Sequence, residues 1–499
     1  MSIKKLAGQT LWYGVPSIAT RFLGYILNFS LIYLYQPVNI ADITQVYAIF
    51  PFLNILFTYG LETSYFRFSN HIEKNTLYST LFNSLLISTF ILTGVLLLLQ
   101  GPLVAFTDLQ AHPEFLTYMA IILFFDTLSA LPFAKLRQEE RPRKYAFIKL
   151  IGIALNVGIV IWYLGVCPNI ARQHPDSLLL LGYHESTGIA YYLIGNVIGA
   201  AVTLLLLAPQ WMSIKWRFDV KVWKEVMIYS IPLIIVGLGG MINDMLSRLV
   251  FQHVSPLPAL QAKHELGVFA ANFRLAILIT IFIQMFRLAA EPFFFNQAKN
   301  QDAKATYARV MLFFVIACSL MFLFVSLYLD VFKAIMTLKY PDYGEGIHIV
   351  PILALGGVFL GIYYNLSIWY KLTNKNWYGA GITIAGALIT IVLNVLWIPK
   401  YGYTGSAWAT LICYLFMMIC SYLLGQKYYP VSYPLKRIGT YLGLIIVLSI
   451  LSYFFNQAVD GMMLKLLFST LLMGVFLGVV LLLDRKNFTF LPIVGKYFK

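Results

Sequence analysis

The groups in this chain that could do chemistry are charges set in stretches otherwise apolar enough for a membrane. Residues 267–295 read GVFAANFRLAILITIFIQMFRLAAEPFFF and carry Arg274, Gln284, Arg287 and Glu291. About 20 apolar residues rising ~1.5 Å each span the hydrocarbon, so this stretch is long enough to cross. A cation at bilayer depth costs about 2.5–3.5 kcal/mol on insertion scales, so it is kept where it faces protein, water or a charged ligand. The chemistry on offer is electrostatic: holding an anion, exchanging an ion pair or carrying a proton. Gln284, Arg287 and Glu291 share one helix face, and Arg287 with Glu291, near the inner interface, reads as a structural or gating salt bridge. Arg274 lies roughly 140° round the helix and about 20 Å along it from Arg287. No carboxylate stands three or four residues from Arg274, which reads as a substrate contact.

Arg21 sits near the middle of the first apolar run, between Pro16 and Gly24, two residues that loosen a helix. It reads as a cation facing an aqueous cavity; the plain alternative is an arginine bound to loosened carbonyls or snorkelling to an interface. Asp244 and Arg248 are spaced for an intrahelical pair, or for a switchable pair that parts when a phosphate or proton arrives. Arg248 thereby joins Arg21 and Arg274 as a substrate-binding candidate. Just before them, Val236-Gly237-Leu238-Gly239-Gly240 reads as a hinge, with Pro16 as its counterpart in the first run. Glu62 and Arg67, near the inner end of the second run, read as another structural or gating ion pair. Asp126 reads as a buried acid without a near cation, either a proton carrier for coupling or a hydrogen-bonded neutral acid. The basic loop 135–144 marks topology and could hold anionic lipid heads.

Something must position these groups, and the composition says what. Hydrophobic residues make up 60 % of the 499 and charged residues 11 %, against about 25 % charged in a soluble domain. The expected fold is all-α: a polytopic membrane protein of fourteen spans. They run 8–35, 43–66, 77–99, 115–134, 146–166 and 188–208; then 226–252, 267–294, 307–329, 348–370, 377–397 and 404–424; then 438–455 and 463–483. With the N-terminus inside, about 26 Lys and Arg fall on the inner side and 6 on the outer, which places both termini in the cytoplasm. Paired motifs keep order along the chain: Tyr13-Gly14-Val15-Pro16 with Tyr229-Ser230-Ile231-Pro232, Leu155-Asn156-Val157 with Leu393-Asn394-Val395, and Gly188-Ile189-Ala190 with Gly405-Ser406-Ala407. They imply two pseudo-symmetric parallel six-helix bundles, 1–215 and 216–430, with two appended helices in 431–499.

Several function classes are excluded. The net charge of +15 is spread over short loops, so no nucleic-acid arm is read. Cys167, Cys318, Cys413 and Cys420 have neither disulfide nor metal spacing, and no cofactor or metal is expected. No phosphate loop or catalytic triad is recognisable, and the chain is not read as an enzyme. His174, Asp176, His184 and Glu185 form the one acid–base cluster on an outward loop.

The opening KKLAGQTLWYGVPSIATRFLGYILN, the run YGLETSYFRF and the run FRLAILITIFIQMFRLAAEPFFF resemble bacterial polysaccharide biosynthesis flippases. These are the O-antigen-type members of the multidrug, oligosaccharidyl-lipid and polysaccharide exporter superfamily. The resemblance covers nearly the whole chain. It implies movement of an undecaprenyl-diphosphate-linked oligosaccharide from the inner to the outer leaflet of the bacterial inner membrane, with cations lining a cavity for the pyrophosphate. The implied partners are that lipid-linked oligosaccharide, membrane lipids and other polysaccharide-assembly proteins. Arg21 in TRFLG also resembles the first-span arginine of lipid II flippases, but the further arginine of their second span has no match in residues 50–56. The acidic first-span residue of many multidrug members is missing too. The alternatives are a multidrug or cation antiporter of the same fold, using Asp126 or Asp244, and a lipid-linked sugar polymerase or ligase.

Overall fold

A computed structural model describes residues 22–488 except 28, 70, 140, 213, 215, 299, 300 and 374. Helix makes up 87 % and no strand occurs among the described residues. That is what lipid demands, because with no water at hand each backbone N–H and C=O must be satisfied inside its own segment. The helices are α1 (Phe22–Leu34), α2 (Pro37–Phe68), α3 (Lys74–Leu98), α4 (Glu114–Gln138), α5 (Pro142–Val160) and α6 (Ala190–Leu206). There follow α7 (Val220–Val254), α8 (Ala259–Gln297), α9 (Ala303–Leu327), α10 (Val350–Leu366), α11 (Asn376–Tyr428), α12 (Leu435–Ala458) and α13 (Met462–Phe488).

Among the described residues, 11 helices are long and apolar enough to cross a membrane, and the chain is a multi-pass membrane protein. The number differs from the fourteen expected segments at three places. Of the first expected segment only residues 22–34 are among those described, as α1; α6, at 17 residues, falls short of the 18 a full crossing asks for; and α11 carries two expected segments in one run of 53 residues. That run turns at Gly402, whose φ of 54° and ψ of −140° only glycine tolerates without strain. Gly188, ahead of α6, has nearly the same backbone, with φ 46° and ψ −129°. Ser406 Oγ then donates to Asn394 Oδ1 at 2.9 Å, tying the two arms of α11 across the turn.

The chain divides into two compact units inside α8, between Ala270 and Ala271. In the first, α4 packs against α2, α3, α5 and α6, while α7 lies along α2. In the second, α10 packs against α9 and α11, and α12 against α9 and α13. By packing, α7 belongs to the first unit.

Between helices in lipid, close approach replaces the hydrophobic effect as the force that holds a pair together, and small residues permit it. The pairing of α5 with α6 shows this. A methyl added at Gly199 would lie 2.8 Å from the Gly152 carbonyl oxygen, and one at Gly195 would lie 2.9 Å from Asn156 Oδ1. In α2, Tyr59 (φ 32°) and Gly60 (φ 71°) break the helix where it meets α7, and Ser64 Oγ sits 2.7 Å from Ser230 Oγ just beyond.

Gly199→Leu should therefore destabilise the protein by about 1–3 kcal/mol, the usual cost of overpacking. Gly158→Leu, on the same helix pair but with nothing within 4 Å of the added Cβ, should leave the melting temperature unchanged. Thermal melts of the purified protein in detergent check this, and equal effects at both positions would refute the close-approach account.

Candidate functional site

Four helices of the first unit, α2, α4, α5 and α6, enclose a cavity of about 420 Å³. Its lining is polar for so apolar a chain. Charges come from Glu62, Asp126, Arg137 and Lys149, and amides from Asn54, Asn156 and Asn196. Each is delivered by a helix that would otherwise have no reason to carry it through lipid.

The cavity's two carboxylates and two cations are paired unequally. Arg137 is ion-paired and hydrogen-bonded to Glu62, and its guanidinium also lies 4.9 Å from the Phe66 ring centroid. Lys149 Nζ instead sits 4.5 Å over the Phe133 ring, sharing the cavity with Asp126 without closing onto it. The amides form a chain: Asn156 Nδ2 donates to Asn196 Oδ1 at 2.6 Å, and Asn196 Nδ2 donates to the Tyr47 hydroxyl at 2.8 Å. Asn156 is buried, and its Oδ1 has no hydrogen-bond partner among the described residues. An accessible carboxylate beside a lysine and an unspent amide oxygen can take up and release a proton or a small cation.

A second polar cluster lies where the starts of α2 and α8 meet the end of α7. Lys263 Nζ is 2.6 Å from Asp42 Oδ1, with side chains 12 % and 5 % exposed. Lys263 also donates to the Asp108 carbonyl at 3.2 Å. Gln45 Nε2 donates to the Arg248 carbonyl and to Gln252 Oε1, both at 3.1 Å. Gly267 lies directly against the Pro37 carbonyl, where no side chain would fit. These contacts lock the starts of α2 and α8 and the end of α7 together.

The residues singled out in the sequence meet different fates. Arg21 and Pro16 lie outside the described residues. Arg248 and Arg274 are buried, at 9 % and 8 % exposure. Arg248 Nη1 lies 2.7 Å from Met245 Sδ. Arg274 lies near the buried Tyr343, whose carbonyl accepts from Asn272 Nδ2 at 2.9 Å. Asp244 is half-buried. Arg287 lies 4.8 Å over the Tyr364 ring and lines a small recess with Asn365 and Lys371; Gln284 is half-buried, and the Glu291 side chain is outside the described set.

Two expectations need correction. Glu62 pairs with Arg137 across helices, while Arg67 stacks 4.1 Å over the Tyr229 ring, so the local Glu62–Arg67 pairing gives way to tertiary partners. Asp126 is exposed to the cavity rather than buried, and Lys149 provides the cation its own helix lacks. The glycines at 237, 239 and 240 lie inside helix that runs without a break from Val220 to Val254. Gly237 serves close packing, since a Cβ there would meet Ile55 Cδ1 at 3.2 Å. His174, Asp176, His184 and Glu185 are all exposed on their loop, and no metal-holding cluster occurs among the described residues.

Sequence reasoning missed Asp42, Lys263, Arg137 and Lys149 as partners, and the cavity amides Asn54, Asn156 and Asn196. The amides left a readable signal, because an Asn at membrane depth is costly unless another group satisfies it. The partners left none, since Asp42 and Lys263 stand 221 positions apart.

No profile of a known protein family matches the chain. A capsular polysaccharide biosynthesis protein, CapF, of Staphylococcus aureus is 21 % identical over 321 residues, which is 61 % of this chain and 72 % of that one. Among solved structures, the lipid II flippase MurJ in an inward closed conformation is similar with a TM-score of 0.67 and 15 % identity, over 94 % of this chain and 98 % of that one. A multidrug resistance MATE family transporter of the MOP superfamily, inward-facing, gives a TM-score of 0.61 and 14 % identity over 84 % and 94 %. The chain has the fold shared by these transporters.

The Asp42–Lys263 and Glu62–Arg137 pairs should behave differently when broken. Lys263→Met strands the buried Asp42 charge and should cost about 3–5 kcal/mol, most of it regained in the double variant with Asp42→Asn. The Glu62–Arg137 pair, with side chains 45 % and 31 % exposed, should show a coupling below about 1 kcal/mol in the same double-variant comparison. Melting of the single and double variants measures both, and equal couplings would contradict the burial argument.

Proposed function

We propose that the chain is a flippase that moves a polyprenyl-diphosphate-linked oligosaccharide from the inner to the outer leaflet by alternating access, for surface polysaccharide biosynthesis. The observation that carries this reading is the burial of Arg248 and Arg274 within membrane-length helices of a fold shared with a lipid II flippase. A guanidinium presents a planar fork of donors that matches phosphate oxygens, and it stays charged at every physiological pH. Arg21, Arg248 and Arg274 are read as the diphosphate ligands. Partial neutralisation by them lowers the cost of moving two phosphates past hydrocarbon. The sugar travels with the diphosphate and the lipid tail stays in the bilayer. The CapF likeness supports the polysaccharide setting.

In this reading the fourteen spans form six, six and two, with repeats 1–215 and 216–430 and the appended pair in 431–499. Both termini lie in the cytoplasm of a bacterium and the spans cross its inner membrane. No cofactor is needed, and other polysaccharide-assembly proteins would supply and take the cargo. The Asp42–Lys263 pair is the outer latch that opens when the cavity turns outward, Glu62, Arg67, Asp244, Gln284, Arg287 and Glu291 provide gating contacts, and Pro16 with Gly237, Gly239 and Gly240 supply the hinge.

A second reading, a cation-coupled multidrug antiporter, is favoured by one observation: Asp126 opens into an internal cavity rather than being sealed in the helix bundle. The two readings part on what the variants do. Arg248→Ala or Arg274→Ala, and Arg21→Ala, should reduce surface polysaccharide at least tenfold at unchanged protein level, with lysine in place of Arg274 restoring part of it. Normal polysaccharide in all three would sink the flippase. Asp126→Asn should abolish proton-driven efflux of organic cations if the antiporter reading holds, and should change no cation efflux if the flippase reading holds; efflux from loaded vesicles measures it.

A further inference from the structure

The connection between α5 and α6 carries four leucines in a row, Leu178 to Leu181, which the proposed cargo site does not use. Leu178, Leu179 and Leu181 are 92 %, 55 % and 83 % exposed. Three such side chains at one loop tip make an apolar patch, and a patch of that kind marks a contact surface. The tip is built rather than loose. Ser177 caps the 3₁₀ turn Leu178–Leu180, its Oγ accepting from the Leu179 N–H at 3.3 Å. The Tyr163 hydroxyl donates to the Leu181 carbonyl at 3.1 Å, and the Tyr191 hydroxyl donates to the Gly182 carbonyl at 2.9 Å. Tyr191 also stacks with both Tyr163 and Tyr183, at ring-centroid distances of 4.5 and 6.0 Å. Gly182, at φ 75°, lets the chain double back beside the Tyr163 hydroxyl.

These bonds fix the depth of the tip. The helix α5 starts at Pro142 beside Arg141 and Lys144, charges that hold this end at a polar face of the membrane. Helix continues to Gln173, and Tyr163 lies 21 residues beyond Pro142, a rise of about 32 Å. The hydrocarbon is about 30 Å thick, so Tyr163 reaches the opposite boundary and Gln173 stands beyond it. The leucines, tied to Tyr163 and Tyr191, are thus brought back to that boundary instead of being held out in water. The exposed side of the same helix is apolar up to this level, through Phe147, Leu150, Ile161 and Trp162, so the tip continues a lipid-facing surface. Trp162, Tyr163, Tyr183 and Tyr191 gather where aromatic residues favour the interface. Polarity returns on both flanks: Arg172, His174 and Asp176 before the tip, and His184 and Glu185 after it, are exposed. Moving one leucine side chain from water to hydrocarbon favours the membrane by about tenfold or more, so three together outweigh the freedom of a tip standing clear.

We propose that the leucine tip is an anchor that inserts into the phospholipid leaflet at this end of α5, with His174, Asp176, His184 and Glu185 at the level of the headgroups. Its partner is the hydrocarbon of bulk bilayer lipid. The flanks carry both signs of charge, so the anchor needs no particular headgroup. It holds the α5–α6 connection in the leaflet, and with it one end of the helix pair that frames the polar cavity. The anchor rests on the membrane-spanning fold alone and holds whichever cargo the protein moves. It also gives the acid–base cluster of this loop a role other than catalysis.

Leu178→Cys, Leu181→Cys and, as a water-side reference, Glu185→Cys are made in the full chain, spin-labelled and reconstituted in phosphatidylcholine vesicles. The unsubstituted chain, whose four cysteines are buried or half-buried, supplies the background. Collisions of each label with oxygen, which concentrates in hydrocarbon, are compared with collisions with a water-soluble nickel chelate. Labels at 178 and 181 should show an oxygen-to-nickel ratio several-fold above that at 185. Adding Tyr163→Phe and Tyr191→Phe together keeps the ring stack but removes both hydroxyl bonds, and should bring the ratio at 181 down toward that at 185; melting curves confirm that each variant is folded. Equal ratios at 178, 181 and 185 would overturn the anchor, and an unchanged ratio in the double tyrosine variant would overturn the account of its depth. Shielding from nickel without access to oxygen, or shielding lost when the protein is diluted in lipid, would assign the tip to a protein contact and overturn the lipid partner.

Discussion

A charge at membrane depth has nowhere to hide in lipid, so every ionised side chain of this protein must be met by protein, water or an opposite charge. The architecture is largely the set of answers to that demand. Asp42 is met by Lys263, Glu62 by Arg137, and Asp484 by Arg437 together with a tyrosine hydroxyl. Each pair joins residues far apart in the chain, so each also fixes which helices neighbour which. Where a charge is not closed onto a partner, as at Asp126 and Lys149, the helices part instead and leave a cavity.

That cavity exists because of the helix pair beside it. The contacts of Gly152 and Gly199 bring the α5 and α6 backbones close, and the closeness lets Asn156 reach Asn196 at 2.6 Å. A bulkier pair would hold the amides apart, and each would then need a partner that lipid cannot supply. The second unit uses the same device at Asn394 and Ser406, on the two arms of α11. Small residues and amides thus act together: the first set the distance, and the second fix the register.

The fold was legible in the sequence to the extent that lipid imposes it locally. Apolar run length gave the helices, and among the described residues the count depends on what qualifies as a crossing at α6, which is short, and at α11, which doubles back at a glycine. The motif pairs Leu155-Asn156-Val157 and Leu393-Asn394-Val395 were readable as repeats, yet their meaning as bridging amides was not, since it depends on the facing helix. Ion pairs at i, i+4 or i+5 were the natural local guess for Glu62 and Arg67. Tertiary partners won at Glu62, because α4 brings Arg137 alongside and a ring at Tyr229 receives Arg67. Burial of Arg248 and Arg274 followed from the cost of a cation in lipid; the side each faces did not, because periodicity is weak in a helix apolar all round.

A transporter needs contacts that hold firmly in one state and release cheaply in the other, and a buried ion pair has that property. Asp42 and Lys263 attract each other in a largely buried, weakly screening surround, and neither can leave alone without stranding a bare charge. Water entering between α2 and α8 changes the terms at once. Both groups then regain hydration, their attraction falls to that of a surface pair, and the net free energy of parting is small. A purely apolar seal would lack this switch, since wetting it costs free energy in proportion to the area exposed. Closure by charge makes the two ends of the proposed cycle close in energy while keeping the intermediate, half-wet state unfavourable, which is the condition for a two-state gate rather than a leak.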